Sequence, residues 1–416
     1  MWKFYYDEAF HDRNITVKED LINIYKENSS DIYVGFFCGY TDTKESEIWR
    51  KYILFENKYK KIYTIDKNKE LKATTIRKKN YKNGFASFVN NTVNFYRDFF
   101  KILNDSEIVF HISLFSKTEL IVLEFLKNIN FQMKFHEDAF LYSLIKFLYN
   151  YRNPKLLKKM INIKDKNDIE KVLIDLKTMI ENVVAKAESS KKKVTETNAL
   201  KQILSILDTA YIPNSEQPQM SWRYEPIFIG FNKLLCERGI NRTDVNLLID
   251  EENNTLEAAE KIGNYHSCNK GKSHECIGLR ISDILAHFFG ELIVALECEL
   301  KEEIILEEDF SKIDYETKKL LSHKWFECSK EQFLLWQEIE TIFYKYQLHE
   351  WTGYDGVFCD YPILVFALLE YIFEYKTYED FIKVKAEEHS EYFNTYSCQK
   401  LAYIFKRGGS EPAYIN

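Results

Sequence analysis

The sequence predicts an α/β fold, a mixed sheet interrupted by a helical insertion and followed by an added C-terminal helical unit. Three observations predict it. Runs rich in aromatic and β-branched residues open the chain and return much later; a stretch of about 90 residues between them has helical spacing; and the pattern past about residue 310 is helical again.

"WKFYYDEAF" (2–10) and "DIYVGFFCGY" (31–40) are strand candidates, with a third expected around "KKIYTI" (60–65), together an antiparallel meander. "GFASFVNNTVNFYRDFFKILN" (84–104) places Val89, Val93, Tyr96, Phe100 and Leu103 at helical spacing and leads into another short strand, "IVFHISLF" (108–115). From about 118 to 210 the pattern is helical, broken at "RNPK" (152–155) and at the polar "ESSKKKVTETN" (188–198), which reads as a surface loop. A helix ending near "CERGI", the strand "DVNLLIDEENN" (244–254) and the helix "GLRISDILAHFFGELIVALECEL" (278–300) follow, then further helices including "KEQFLLWQEIETIFYKY". The expected division is a core in two parts, 1–117 and 220–305, a helical insertion at 118–219 and a C-terminal helical domain at 306–416.

Composition narrows the class. With 45% hydrophobic residues and only 6 Pro and 13 Gly in 416 positions, the chain is expected to fold throughout. The balance of 57 Lys and Arg against 64 Asp and Glu, net −7, argues against a protein coated in basic charge but leaves room for a local basic groove. Eight scattered Cys do not form a disulfide framework, and Asp7 and Glu8 stand where a signal peptide needs an apolar run, so a reducing cytoplasm is expected. "YPILVFALLEYIF" (361–373) carries Glu370 and is too short to span a bilayer, so no membrane is expected.

The chemistry-bearing residues are acids. Burying an unpaired carboxylate is costly, so Asp7 and Glu8 inside an aromatic strand call for a partner, a metal or a wet cleft. On a strand the two point to opposite faces, which makes Asp7 the stronger candidate. Asp250 and Glu251 end a late strand, and Asp283, His287 and Glu291 recur at i, i+4 and i+8 along one face of the next helix, beside an apolar stripe of Ile284, Leu285, Phe288 and Leu292. That face suits a ligand, a proton shuttle and an outer acid. Taken singly, each acid reads as a solvated surface charge. Together they suit Mg²⁺ or Mn²⁺, which prefer hard oxygen ligands, because carboxylates from separate elements are what a two-metal phosphoryl-transfer site needs.

"YYDEAF", "LLIDEENN" and "GLRISDIL" resemble the marks of a bacterial family, domain-of-unknown-function family 3800, which is regarded as ribonuclease-H-like. The resemblance covers the first 115 residues or so plus 220–300, with Ala9 in place of the usual Ser and Arg280 in place of Gln. It implies a ribonuclease-H-like sheet and metal-dependent cleavage of DNA or RNA, with Asp7, Asp250 and Asp283 as metal ligands and Glu8 as a further one. Glu251 is a candidate ligand and His287 a candidate catalytic group. A role in bacterial defence against phage, within a complex with protein partners, follows from the family alone. The alternative is a subunit that binds nucleic acid or protein without cutting; a weaker third reading is a phosphohydrolase acting on nucleotides.

Other groups attach to these readings. Residues 57–84 hold ten Lys or Arg against two acids, with Tyr59, Tyr63 and Tyr81 interleaved, which suits a nucleic-acid backbone or else a solvated hairpin; Arg77, Lys78 and Lys79 are the substrate-binding candidates. Arg280 can grip a phosphate with its planar fork or pair with a nearby acid. His266, Cys268, His274 and Cys276 would make a Cys₂His₂ zinc site if they shared one face of a hairpin, although their spacing is not a common zinc pattern. His111 reads as a satisfied sheet histidine, and "HEWTGYDGVFCDY" (349–361) as core packing or a binding loop.

Overall fold

The computed structural model describes residues 1–10, 17–18, 21–22, 30–104, 106, 108–132, 135–151, 153–187, 194–213, 224–251, 253–300, 320–345, 352–354 and 356–408. In chain order the main elements of the first half are β1 (Trp2–Ala9), β2 (Ile32–Thr41), α1 (Glu45–Ile62), α2 (Asn90–Asn104), β3 (Val109–Ser116), α3 (Lys117–Leu126), α4 (Glu137–Asn150), α5 (Pro154–Ile161), α6 (Lys166–Ala187) and α7 (Val194–Leu207). The second half adds α8 (Glu225–Glu237), β4 (Val245–Asp250), α9 (Asn253–Gly263), β5 (Ser267–Gly271), α10 (Ile277–Leu300), α11 (Lys330–Glu340), β6 (Thr352–Tyr354), α12 (Asp360–Phe373), α13 (Tyr378–Phe381) and α14 (Ala386–Gly408).

The main sheet is mixed, in the order β5-β4-β1-β2-β3-β6. β1 runs antiparallel to β2, with Asp7 opposite Phe36, and β2 antiparallel to β3, with Phe36 opposite Ile112. On its other side β1 runs parallel to β4 from Trp2 opposite Val245 to Tyr6 opposite Ile249, and β4 runs parallel to β5.

Alternation along β1 sorts its side chains. Phe4 and Tyr6 join Leu247 and Ile249 of β4 under α8 and α9, where Phe228, Phe231 and Ala259 close the core. Tyr5 joins Phe36, Cys38 and Ile112 on the face covered by α10, α1 and α2. α10 is buried along most of its length because Leu279, Ile284, Leu285, Phe288, Phe289 and Leu292 wrap most of its circumference. Each such side chain contributes about 1.5–3 kcal/mol on burial.

The region expected to be a third strand, 60–65, is instead the end of α1 and the turn after it. Ile48, Tyr52, Phe55 and Tyr59 form a buried helical stripe at spacings of four, three and four residues, and this stripe outweighs the β-preference of "IYTI". α2 has the expected stripe from Val93 onward, but Val89 precedes the helix and is 61% exposed. The break at "RNPK" is where Pro154 opens α5, with the Asn153 side chain accepting the Leu156 N–H. In the stretch expected to be a surface loop, residues 194–198 are the first turn of α7, and 188–193 lie outside the described residues.

Helices α4 to α7 pack on α3 around a core of their own, including Leu144, Leu157, Leu176 and Leu207. The C-terminal helices do not stand apart in this way. Trp325, Trp336, Ile339, Val365 and Leu368 share one core with α10 and α2, and β6 pairs with β3 to extend the sheet. Phe85 and Trp336 stack with ring centroids 3.7 Å apart.

Candidate active site: carboxylates at one end of the sheet

β1 carries Asp7 and Glu8 to opposite faces. Asp7 follows Tyr5 onto the α10 side. Glu8 follows Tyr6 onto the other, where burial, and after it the charge of Glu8, pushes the mutually hydrogen-bonded hydroxyls of Tyr6 and Tyr33 above the usual phenol range. β4 brings Asp250 to the same end. It lies one step beyond the Tyr6–Ile249 pair, and by alternation from Leu248, which packs toward α10, it faces as Asp7 does.

The third acid is set by how α10 crosses β1. Gly278 lies against the Tyr5 ring so closely that a Cβ would sit 2.2 Å from ring carbons, and the Ser282 hydroxyl donates to the Tyr5 carbonyl at 3.0 Å. The next residue is Asp283. Any side chain at position 278 would lift this end of the helix off the strand.

A strap between α1 and α2, residues 70–76, closes over α10 and holds a fourth acid that sequence reasoning missed. The Leu71 N–H donates to Glu56 Oε1 at 3.0 Å, the Ala73 N–H to Asp283 Oδ2 at 3.1 Å, and the His287 Nε2–H to the Ile76 carbonyl at 2.9 Å. Glu70 accepts from the Ser273 hydroxyl at 3.1 Å and pairs with Lys72 at 3.0 Å. The signal for this strap was the apolar set Leu71, Ala73 and Ile76 in an otherwise Lys-rich run; all three are buried.

The electrostatics tie the acids together. Burial, then the charges of Asp283, Glu8 and Asp250, push Asp7 well above the usual carboxylate range, opposed by the Glu8 N–H that donates to Asp7 Oδ1 at 2.8 Å. Burial pushes Asp283 up to about 6; Glu70 and Asp250 add to the rise, while the Ala73 N–H and Lys72 oppose it. Asp250 is raised by burial and by Glu251 and Glu70, against the Glu251 N–H and Lys72. Each acid disfavours the ionisation of its neighbours.

Thus Asp7, Asp250, Asp283 and Glu70 lie at one end of the sheet, near enough for their charges to act on one another. Glu251 sits on the exposed rim, 4.0 Å from Lys272. His287 anchors the strap through Nε2, while Nδ1 lies 4.0 Å from Glu291. Glu291 is buried and raised by that burial, and among the described residues its Oε2 has no hydrogen-bond partner.

Arg280 takes the second of its two expected roles. Its Nη1 pairs with Glu56 at 2.5 Å, and its Nε and Nη2 donate to the Ser273 and His274 carbonyls, so its fork is committed within the protein. Arg77, Lys78 and Lys79 are exposed. The tyrosines expected to stack on bases are not available as a platform. Tyr59 is buried with its hydroxyl on Asp98, Tyr81 is buried against the Tyr96 hydroxyl, and Tyr63 is half-buried.

The expected zinc residues are not brought together. Cys268 packs on the α8 and α9 side of the sheet and Cys276 on the α10 side, while His274 is exposed beside Glu275. His266 N–H continues the sheet pairing to the Val245 carbonyl. Among the described residues no three His, Cys, Asp or Glu side chains stand in ion-holding positions. His111 is a core histidine but not a satisfied one: its Nε2 meets the Ser113 hydroxyl, its Nδ1 has no hydrogen-bond partner among the described residues, and burial pushes it down to about 3. In the 349–361 segment, Val357 and Phe358 donate their N–H groups to Glu119; 349–351 and 355 lie outside the described residues.

Compared with known proteins, the chain matches no family model, no curated protein and no solved structure. Among the described residues no helix is long and apolar enough to cross a membrane.

Proposed function

We propose that the protein is a divalent-metal-dependent nuclease with a ribonuclease-H-like core. One observation carries the reading. Asp7, Asp250 and Asp283 arrive from a first strand, a late parallel strand and the helix after β5, converge at one end of the sheet, and oppose one another's ionisation. The mixed sheet, with β1 to β3 antiparallel and β4 and β5 parallel to β1 and to each other, supports the same core.

By its chemistry the donor set suits a hard divalent cation, although these side chains do not stand in ion-holding positions in this structure and would have to turn toward one. It is made of carboxylate oxygens, and their mutual repulsion is what such a cation relieves. Asp7, Asp250 and Asp283 would hold Mg²⁺ or Mn²⁺, which supplies Lewis acidity toward a phosphodiester and a nucleophile at neutral pH. The chain's own residues do the positioning. The Ala73 N–H occupies Asp283 Oδ2 and leaves Oδ1 for a ligand role, His287 holds the strap at Ile76, and exposed Arg77, Lys78 and Lys79 just beyond it suit a phosphate backbone. Bacterial anti-phage defence, in the cytoplasm and with protein partners, is the setting that the family resemblance suggests.

A second reading, a nucleic-acid- or protein-binding subunit that does not cut, is favoured by the Glu70–Lys72 pair, which gives the acids a counter-cation from the protein itself. Labelled single- and double-stranded DNA and RNA, incubated with Mg²⁺ or Mn²⁺, separate the two. The nuclease reading expects metal-dependent cleavage that falls at least about a hundredfold in Asp7→Ala and Asp283→Ala. Undiminished cleavage in both variants, or none by the wild type on any of the four substrates, sinks it.

A further inference from the structure

The strap and the residues on either side of it carry charge without rings. Lys67, Lys69, Arg77, Lys78, Lys79 and Lys82 are exposed, and among the described residues none of them enters an ion pair. The only acid between Lys67 and Lys82 is Glu70, which is taken by Lys72 at 3.0 Å and by the Ser273 hydroxyl at 3.1 Å. The rings of the same region are withdrawn: Tyr59, Tyr81, Phe85 and Phe88 are buried and Tyr63 is half-buried. Among the described residues the exposed aromatic rings are Trp49, Tyr211 and Tyr392. Of these only Trp49 is on α1, and it stands seven residues before Glu56, where Leu71 fastens the strap, whereas the basic run lies after that point.

The cations are also presented on a fixed backbone. Leu71 N–H is held by Glu56, Ala73 N–H by Asp283 and the Ile76 carbonyl by His287, and the buried side chains of Leu71, Ala73, Ile76 and Tyr81 leave the basic ones outside. A protein that grips a single strand combines such charge with rings on which bases stack, and stacking offsets the cost of ordering a flexible chain. A duplex needs no ring. Its bases are paired inward, and its stiffness brings the phosphates already spaced on the outside.

We infer that the strap and its flanks bind double-stranded nucleic acid through its phosphates and discriminate against single strands. The inference rests on the nucleic-acid reading above and names the substrate class of that surface; it does not depend on a bound metal. Duplex DNA and duplex RNA share the chemistry it uses, since neither needs base contacts to be held this way.

Fluorescence anisotropy of the full chain in EDTA tests it, with a mixed-sequence DNA duplex, the matching RNA duplex, oligothymidylate and oligouridylate as probes. At about 0.1 M salt at least one duplex is expected to bind at least about tenfold more tightly than either single strand, with affinity falling steeply as salt rises. Lys67→Gln, Lys69→Gln and Lys82→Gln combined are expected to lower the duplex salt slope by up to about 2.7 without shifting the thermal melt, and Trp49→Ala to leave duplex binding unchanged. Single strands bound as tightly as the duplexes, or held at about 1 M salt through Trp49, overturn the inference. An unchanged slope in the triple variant, competition by inorganic polyphosphate as strong as by unlabelled duplex, or no binding of any probe overturns it too. None of these outcomes touches the nuclease reading, which the cleavage assay decides; duplex binding without cleavage supports this inference and sinks the nuclease reading alone.

Discussion

Two buried aspartates lie at the same end of the sheet and have opposite surroundings. Asp31, just before β2, accepts from the Ser116 hydroxyl at 2.5 Å, the Thr118 N–H at 2.8 Å and the Thr118 hydroxyl at 2.6 Å. Asp7, near the end of β1, accepts one N–H among the described residues, from its own neighbour, and faces like charges from Asp283, Glu8 and Asp250. The first is a carboxylate the fold satisfies by its own donors. The second is one that burial and like charges leave electrostatically frustrated.

The comparison breaks most readily at Asp31. Asp31→Ala leaves three buried donors without an acceptor and is expected to cost about 3–5 kcal/mol in urea unfolding. Asp7→Asn, measured without divalent ions at pH 7, is expected to lie within about 1 kcal/mol of the wild type or above it, because it removes a repelled charge. If Asp7→Asn costs as much as Asp31→Ala, the two carboxylates do not differ as argued.

A pH series sharpens the contrast. The folded-state pKa of Asp283 is raised, from 3.8 to about 6, so folding takes up a proton between those values. Its contribution is fully present below pH about 4 and is lost as pH rises through about 6. At 1.36 kcal/mol per pH unit, the span of 2.2 amounts to roughly 3 kcal/mol at most. Asp283→Asn should therefore gain on the wild type as pH rises from about 4 to 7 in EDTA. A gap between the two that stays constant with pH would count against the cluster.

The smallest effect on stability is expected outside the cluster. Replacing exposed Arg77, Lys78 and Lys79 together by Ser should change unfolding by less than about 0.5 kcal/mol. It should lower the salt slope of duplex DNA binding by up to about 2.7, three phosphate contacts at about 0.9 each. An unchanged slope would remove these residues from any nucleic-acid path.

What could be read from the sequence followed the strength of local pattern. The aromatic alternation of "KFYYDEA" and the apolar run around Asp283 made β1 and α10 legible, and with them Asp7 and Asp283. β5, "SCNKG", has no such pattern; it is a strand because it pairs in parallel with β4, a tertiary reason that local propensity does not carry. α1 was missed because its stripe starts at Ile48, ahead of the aromatic cluster that resembles a strand. Glu70 and Lys72 were hidden for a related reason. What makes them part of the site is the anchoring of Leu71 on Glu56 and Ala73 on Asp283, 15 and 210 positions away. Arg280, conversely, was legible as an important residue, but its partner was left open because Glu56 lies 224 positions earlier.

The pairing of β1 with β4 also bears on how the molecule is made. Trp2 waits for Val245, 243 positions later by subtraction, and at about 5–20 residues per second of synthesis that interval is roughly 12–50 s. Throughout it, one edge of β1 lacks its neighbour while carrying "KFYYDEA", the kind of aromatic strand that recruits other strands. The helical insertion, whose core comes from residues 121–212 apart from Phe358 and its neighbours, can begin to fold in that interval, whereas the sheet must wait for β4. Ribosome-bound chains cut short before residue 245 are therefore expected to be the species that aggregate and that chaperones hold.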